Sequence, residues 1–372
     1  MSLKKVFLLS VCIFLYGFLF NSIITCSPKP NNSKIKTATK FQIKEKTRVI
    51  TKINSIEDSI LVNGMVLIPS GTFEMGADNS KGYEDEYPKH KVKINSFWMD
   101  ITEVTNAQFK KFVDETGYIT TAEKKIDWDE MKKDLPPNTP KPNDSLLAPS
   151  SLLFNYTSSP VALNDYSQWW KFSKGANWKK PWGPDSSIEG KDNFPVVHIS
   201  WNDAQEYCKW AGKRLPTEAE WEYASRGGLQ HSVYSWGNQL ITSSSSKANT
   251  WDGEFPFKNS VKDKFEFLAP VKNFNPNGYG LYDISGNVWE WCSDWYNYNY
   301  YKLFENQIAD NPIGPSVSYD PNEPYLAKKV MRGGSFLCND SYCSGFRNSM
   351  RMKTTPDTSS IHAGFRTVVD AL

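Results

Sequence analysis

The sequence predicts a loop-rich mixed fold in which short strands and helices pack as one domain over residues 61–372. Two observations carry this. Aromatic residues make up 14% of the chain and include 14 Trp, while Gly and Pro number 22 each. Large rings fill a core and turn formers interrupt long elements, so this combination favours short elements around bulky side chains. Candidate strands and capped helices also follow one another from Leu61 onward with no linker-like stretch and no visible repeat of the solenoid or propeller kind. The formal net charge of +2 gives no electrostatic reason to expect nucleic acid.

Met65–Pro69 reads as a strand, Ser70-Gly71 as a turn and Thr72–Gly76 as the return, so the spacing predicts a hairpin. Lys91–Met99 alternates well enough for one more strand. Three helix starts share one chemistry. Thr105 with Gln108 forms a capping box, and that helix runs to Gly117. Ser200 opens a second helix, which ends at Gly212 where a terminal glycine is expected. Thr217 with Glu220 forms another capping box behind Pro216, opening a helix to about Ser225. Residues 125–192 show little regular pattern and are rich in Pro, Asn and Ser. They read as a long ordered insertion, because Trp169, Trp170, Trp178 and Trp182 would be out of place in a disordered loop. Beyond Leu229 the pattern is turns and short strands.

The N-terminus carries an address. Lys4 and Lys5 precede the apolar run Val6–Phe20, and Cys26 follows. This reads as a secretory signal outside the folded domain. Ile23-Ile24-Thr25-Cys26 resembles a loose bacterial lipobox, with Thr25 where Ala or Gly is usual. The resemblance implies cleavage before Cys26 and acylation of its thiol, giving an exported, membrane-anchored protein. An uncleaved anchor is the alternative, since residues 6–25 are nearly long enough to span a bilayer. Ser27 to about Asp58 is polar and reads as a flexible spacer.

The most chemically informative stretch is Gly333-Gly334-Ser335-Phe336-Leu337-Cys338-Asn339-Asp340-Ser341-Tyr342-Cys343. It sets two thiols five positions apart in a chain with six Cys. Thiolates are nucleophiles, redox groups and soft metal ligands. The spacing alone leaves open a small-loop disulfide, a redox couple or a two-thiolate metal site. A structural zinc site needs four ligands, and no second Cys or His pair sits at matching spacing. His90, His198, His231 and His362 stand isolated in the sequence and read as packed or surface residues.

Met65-Val66-x-Ile68-Pro69-x-Gly71-x-Phe73-x-Met75-Gly76 resembles the opening of the formylglycine-generating enzyme (sulfatase-modifying factor) domain. Pro195–Ala204, Trp210–Tyr223, Asn277–Asp283, Gly286–Trp291 and Gly364-Phe365-Arg366 resemble its later segments in order, over almost all of 61–372. The fold this implies is a single compact, loop-rich α+β domain related to C-type-lectin-like folds. The activity it implies is oxidation of a cysteine to Cα-formylglycine with O2, on an unfolded sulfatase segment of the Cys-x-Pro-x-Arg type. Many domains of the family lack the cysteine pair and serve other roles. Active members resemble Gly-Gly-Ser-aromatic-x-Cys-x-x-Ser-Tyr-Cys, which this chain carries from Gly333 to Cys343. Gly175-Ala176-Asn177-Trp178 and Gly183-Pro184-Asp185-Ser186 are also similar to the enzyme branch.

By the resemblance, Cys338 and Cys343 are copper(I) ligands, and Ser335 and Tyr342 are donors in the pocket. Two soft sulfurs suit Cu(I), and two-coordination leaves room for a substrate thiolate. Trp289 and Trp291 are expected as an apolar wall, with core packing as the alternative. The resemblance also implies two calcium sites. The first uses Asn249 and Asp263 with the backbone of Thr250 and Phe265; the second uses Asp283 and Glu290 with the carbonyls of Gly286 and Val288. Two disulfides of the animal enzymes have no counterpart, since the matching positions hold Cys208 with Thr367 and Ser225 with Asn348. Cys208 and Cys292 either pair or are buried thiols; burial is the expectation. Asn339 and Asp340 stand where animal enzymes carry basic residues, which points to a different substrate preference. The competing expectation is a non-enzymatic lipoprotein of a surface or motility complex that kept the fold.

Overall fold

The computed structural model describes residues 61–134, 137–241 and 246–371. The signal-like segment, Cys26 and the spacer lie outside them. No helix among the described residues is long and apolar enough to cross a membrane.

The strands are β1 (Met65–Ile68), β2 (Gly71–Met75), β3 (His90–Ile94), β4 (Phe97–Asp100), β5 (Ser150–Phe154), β6 (Trp170–Lys174) and β7 (Gly253–Glu254). They continue with β8 (Lys258–Asn259), β9 (Trp289–Trp295), β10 (Ala309–Asp310), β11 (Lys329–Arg332), β12 (Met352–Thr354), β13 (Ala363–Gly364) and β14 (Val368–Asp370). The longer helices are α1 (Asn106–Thr116), α2 (Trp201–Ala211) and α3 (Glu218–Arg226). Two three-stranded sheets, ordered β1-β4-β14 and β10-β3-β2, accompany a four-stranded sheet ordered β12-β11-β9-β13. β5 pairs with β6 and β7 with β8 as antiparallel ribbons.

All three expected helices form with their caps. Thr105, Ser200 and Thr217 each accept the backbone N–H three residues on, and the side chains of Gln108, Asp203 and Glu220 return the bond. Each helix ends at a left-handed glycine. The expected hairpin does not form. β1 pairs with β4, whereas β2 pairs with β3 in a different sheet. The corner between them closes on the Tyr223 hydroxyl of α3, which occupies the space a Cβ on Gly71 would need. The expected single strand Lys91–Met99 is also two strands, because the chain passes from one sheet to the other at Asn95-Ser96.

The first core packs β1 to β4 on α3 through residues such as Ile68, Phe97, Trp221 and Val330. A second joins α1 and α2 to the four-stranded sheet, with Phe109, Tyr207, Trp178 and Trp291. The third belongs to the insertion, where Phe154 and Trp169 meet Trp251 and Phe255. Trp169, Trp178, Trp221 and Trp291 are fully buried. At roughly 200 Å² and 25 cal/mol/Å², each contributes on the order of 5 kcal/mol of gross burial. Cys338 lies in the second core, and its neighbours Phe336 and Leu337 lie in the third. The cysteine loop is thus the seam between them.

Helix α3 is buried on nearly every side, so its carboxylates need partners inside. Glu218 binds Arg332 and Arg351, and Glu222 binds Arg226 and Arg332. Glu86 binds Arg347. Arg332 and Arg347 flank the cysteine loop, so buried ion pairs clamp both of its ends. Such pairs add little net stability when intact, but removing one partner strands the other charge.

Candidate active site

The loop between Arg332 and Arg347 is organised by its own backbone. The Asn339 carbonyl accepts the N–H groups of Tyr342, Cys343 and Ser344 at 3.0–3.1 Å. This winds the chain back on itself and brings Cys338 and Cys343 to 5.5 Å between Cα atoms, joined as a disulfide. Two glycines permit the fold-back. A Cβ on Gly334, whose φ is +79°, would lie 2.7 Å from the Gly345 carbonyl carbon. One on Gly345 would lie 2.6 Å from ring carbons of Trp289 and 2.7 Å from Cys338 Sγ.

Both cysteines open onto a cavity of about 250 Å³. Ser335, Tyr342, Trp289 and Trp291 line it as well, so the four expected site residues and the expected wall meet in one place. Its floor is a face of the four-stranded sheet. Trp291, Met331 and Met352 face one another across β9, β11 and β12, and Trp289 sits opposite Ala363. Leu152 and Trp170 of the insertion hairpin form the other side.

Ser335 is buried and aims two donors at Cys338 Sγ, its N–H at 3.4 Å and its hydroxyl at 3.9 Å. Donors on a sulfur favour its thiolate. Tyr342 stacks on Phe255 with ring centroids 4.3 Å apart. Burial pushes its phenol up, so it stays a neutral donor. The two cysteines also fit a soft cation, because two sulfurs on one short loop share an apolar cavity. Disulfide and metal dithiolate exclude each other, so reduction must come first. Among the described residues, no group of three or more His, Cys, Asp or Glu is arranged to hold a metal ion.

Sequence reading missed His362. It lines the same cavity, packs edge-on against Trp170 at 4.7 Å, and keeps Nδ1 buried without a partner. Burial, aided by nearby His198, pushes it down to about 3, so the imidazole is neutral. His198 is buried too, bonding Ser151 Oγ at 2.7 Å and the Pro181 carbonyl at 2.8 Å. Cys208 and Cys292 are free, buried and in different cores. Ser225 donates to Asn348 Oδ1 at 2.7 Å, so a hydrogen bond stands where the animal enzymes were expected to carry a bridge.

The two expected calcium sets adjoin the cysteine loop. Trp251 N–H donates to the Cys338 carbonyl, Phe336 N–H to the Asn287 carbonyl, and Gly286 N–H to the Gly333 carbonyl. In the first set, Asn249 Oδ1 is buried without a donor. Asp263 accepts the N–H groups of Thr250 and Phe265 at 3.1 and 3.0 Å. In the second, Asp283 Oδ1 is buried without a donor. Glu290 is held by Arg366 through both oxygens and by the Trp221 indole through one, leaving Oε1 with a single donor. Glu103, which sequence reading also missed, adds a buried Oε2 without a donor. Burial and neighbouring Asp283 hold Glu103 well above the usual carboxylate range, and burial raises Asp283 to about 6. Asn249 Oδ1, Asp283 Oδ1 and Glu103 Oε2 are thus buried oxygens without donors, the ligand type a hard divalent cation takes, and such a cation would draw the two raised carboxyls into their ionised form.

Residues 52–371 match the model of the sulfatase-modifying factor enzyme 1-like domain. The formylglycine-generating enzyme of Mus musculus is 45% identical over 309 residues, covering 83% of this chain and 75% of that protein. The formylglycine-generating enzyme of Streptomyces coelicolor is 43% identical, covering 83% and 90%. An inactive Cα-formylglycine-generating enzyme 2 of Bos taurus is 39% identical, covering 81% and 86%. Among solved structures, PvdO from Pseudomonas aeruginosa shares the fold with a TM-score of 0.55 and 21% identity, over 82% of this chain and 94% of that one. On the extent of these matches, the chain belongs to the sulfatase-modifying factor enzyme 1-like family.

Proposed function

We propose that this chain is a formylglycine-generating enzyme, which oxidises a cysteine in an unfolded sulfatase segment of the Cys-x-Pro-x-Arg type to Cα-formylglycine. The observation that carries the reading is that Cys338 and Cys343 line a single apolar cavity together with Ser335 and Tyr342. A relative of similar identity is inactive, so overall similarity does not settle activity. In balance, the substrate thiol and O2 take up two electrons and two protons, and yield the aldehyde, hydrogen sulfide and water.

Copper bound by Cys338 and Cys343 would supply the one-electron and O2 chemistry. The chain's own residues do the rest. Ser335 directs its N–H and hydroxyl at Cys338 Sγ and would orient that sulfur once the pair is reduced. Trp289 and Trp291 exclude water beside the reacting sulfur. Tyr342 offers a phenol proton at the cavity wall. The Arg332 and Arg347 ion pairs hold the loop's ends still, which orients the two sulfurs.

Calcium at the two flanking oxygen sets would tie together segments with little regular structure. Export and anchoring through Cys26 would bring the enzyme to sulfatase chains outside the cytoplasm. The test is mass spectrometry of a Cys-x-Pro-x-Arg peptide incubated with copper-loaded protein, O2 and a reductant. An aldehyde with wild type and none with Cys338→Ser is expected; no product with wild type rejects the reading.

A further inference from the structure

The cavity floor carries more sulfur than packing needs. Of the chain's 8 Met, Met331, Met350 and Met352 all line this one cavity. Met331 stands directly opposite Met352 in the antiparallel register, and opposed side chains share a face about 5 Å apart at Cβ. Met331, Met350 and Cys338 belong to one packed cluster, with Met352 and Cys343 against it. His362 lines the same space, and its Nδ1 is buried with no partner. Leucine would fill an apolar floor with fewer rotamers; thioether adds a soft lone pair.

We infer that Met331, Met350, Met352 and His362 form a capture site for a soft monovalent cation, Cu(I) or its analogue Ag(I), beside the cysteine pair. This rests on the copper reading above but concerns residues that reading does not use. The logic lies in redox state. Cys338 and Cys343 are joined in the structure and offer no thiolate. Thioethers and an imidazole bind without losing a proton, and a disulfide leaves them unchanged. They hold the cation while the pair is oxidised. Two equivalents of a small thiol then reduce the disulfide, giving one external disulfide and two cysteine thiols. Moving the cation onto both sulfurs releases two protons. Anionic thiolates bind a soft cation more tightly than neutral thioethers, so transfer runs toward the cysteines.

The test is calorimetric titration of Ag(I), in chloride-free buffer, into the Cys338→Ser/Cys343→Ser protein with and without Met331→Leu, Met350→Leu and Met352→Leu. Methionine-to-leucine swaps conserve volume, and a melting curve checks each protein. Met352→Leu alone, at a partly exposed position, serves if the triple variant does not fold. Cys208 and Cys292 are present in every protein, so silver held there cancels in the comparison. Expected is one more equivalent bound with the methionines than without them, at an affinity at least tenfold above any that the leucine proteins keep at that site. Silver X-ray absorption should show sulfur and nitrogen neighbours in the double serine protein. Equal stoichiometry and affinity with and without the methionines overturns the inference. Aldehyde formation by the wild type in that case leaves the enzymatic reading intact, whereas silver binding without any aldehyde separates the two in the other direction.

Discussion

Gly345→Ala tests whether the cysteine loop is as tightly seated as its contacts imply. The new methyl would lie 2.6 Å from ring carbons of Trp289 and 2.7 Å from Cys338 Sγ. Carbon contacts are comfortable near 3.5–4.0 Å, so something must move by about 1 Å. Both neighbours line the cavity, hence the displacement falls on the reacting geometry. Overpacking of this kind costs about 1–3 kcal/mol, a fall of roughly 2–10 °C in Tm for a domain this large. The protein stays folded at 25 °C. A shift of about 1 Å at a reacting centre costs on the order of a hundredfold in rate. Peptide oxidation should therefore drop about a hundredfold in kcat/KM while the fold persists. Adding Trp289→Phe removes the ring carbons the methyl meets and should restore part of the lost stability. Activity within twofold of wild type for Gly345→Ala would mean that the cysteine loop is not tightly seated against Trp289.

Other outcomes follow from the same structure. Glu222→Gln leaves Arg332 and Arg226 short of a buried carboxylate and should destabilise by about 3–5 kcal/mol in urea unfolding. Ser335→Ala removes one donor from Cys338 Sγ and should lower kcat for peptide oxidation by roughly tenfold with KM unchanged, read by mass spectrometry. Asp283 has a folded pKa of about 6, above its ordinary 3.8. The calcium-free fold then binds the extra proton and loses stability as pH rises from about 4 to about 6. The loss is on the order of 3 kcal/mol and complete above that range. Calcium needs the ionised form, so chelation should lower Tm much more at pH 7.5 than at pH 5. An equal effect at both values counts against Asp283 as a ligand.

What could be read in the sequence was what short segments encode. Thr105, Ser200 and Thr217 each find their capping partner three residues away, so the helices were visible without any tertiary information. The strands beside them were not. Ile68 and Gly71 are almost adjacent in sequence, yet β1 and β2 join different sheets because Tyr223, about 150 residues on, fills the corner. The same division holds at the site. Cys338, Cys343, Ser335 and Tyr342 sit within nine residues of one motif. Beyond the expected Trp289 and Trp291, the surrounding wall comes from Leu152, Trp170, Met331, Met352 and His362, which share no local pattern. Glu103 was invisible for the same reason, since its link to Asn287 spans 184 positions.

Reduced Cys338 and Cys343 form the reacting centre of the proposed cysteine oxidase. The most direct measurement follows one Cys-x-Pro-x-Arg peptide by mass spectrometry, with copper, O2 and a reductant, in wild type and in the Cys338→Ser and Cys343→Ser proteins. Wild type should convert the peptide thiol to aldehyde, with both variants folded and slower by roughly a thousandfold or more. Conversion at wild-type rate by either variant, or none by reduced, copper-loaded wild type, would contradict that assignment.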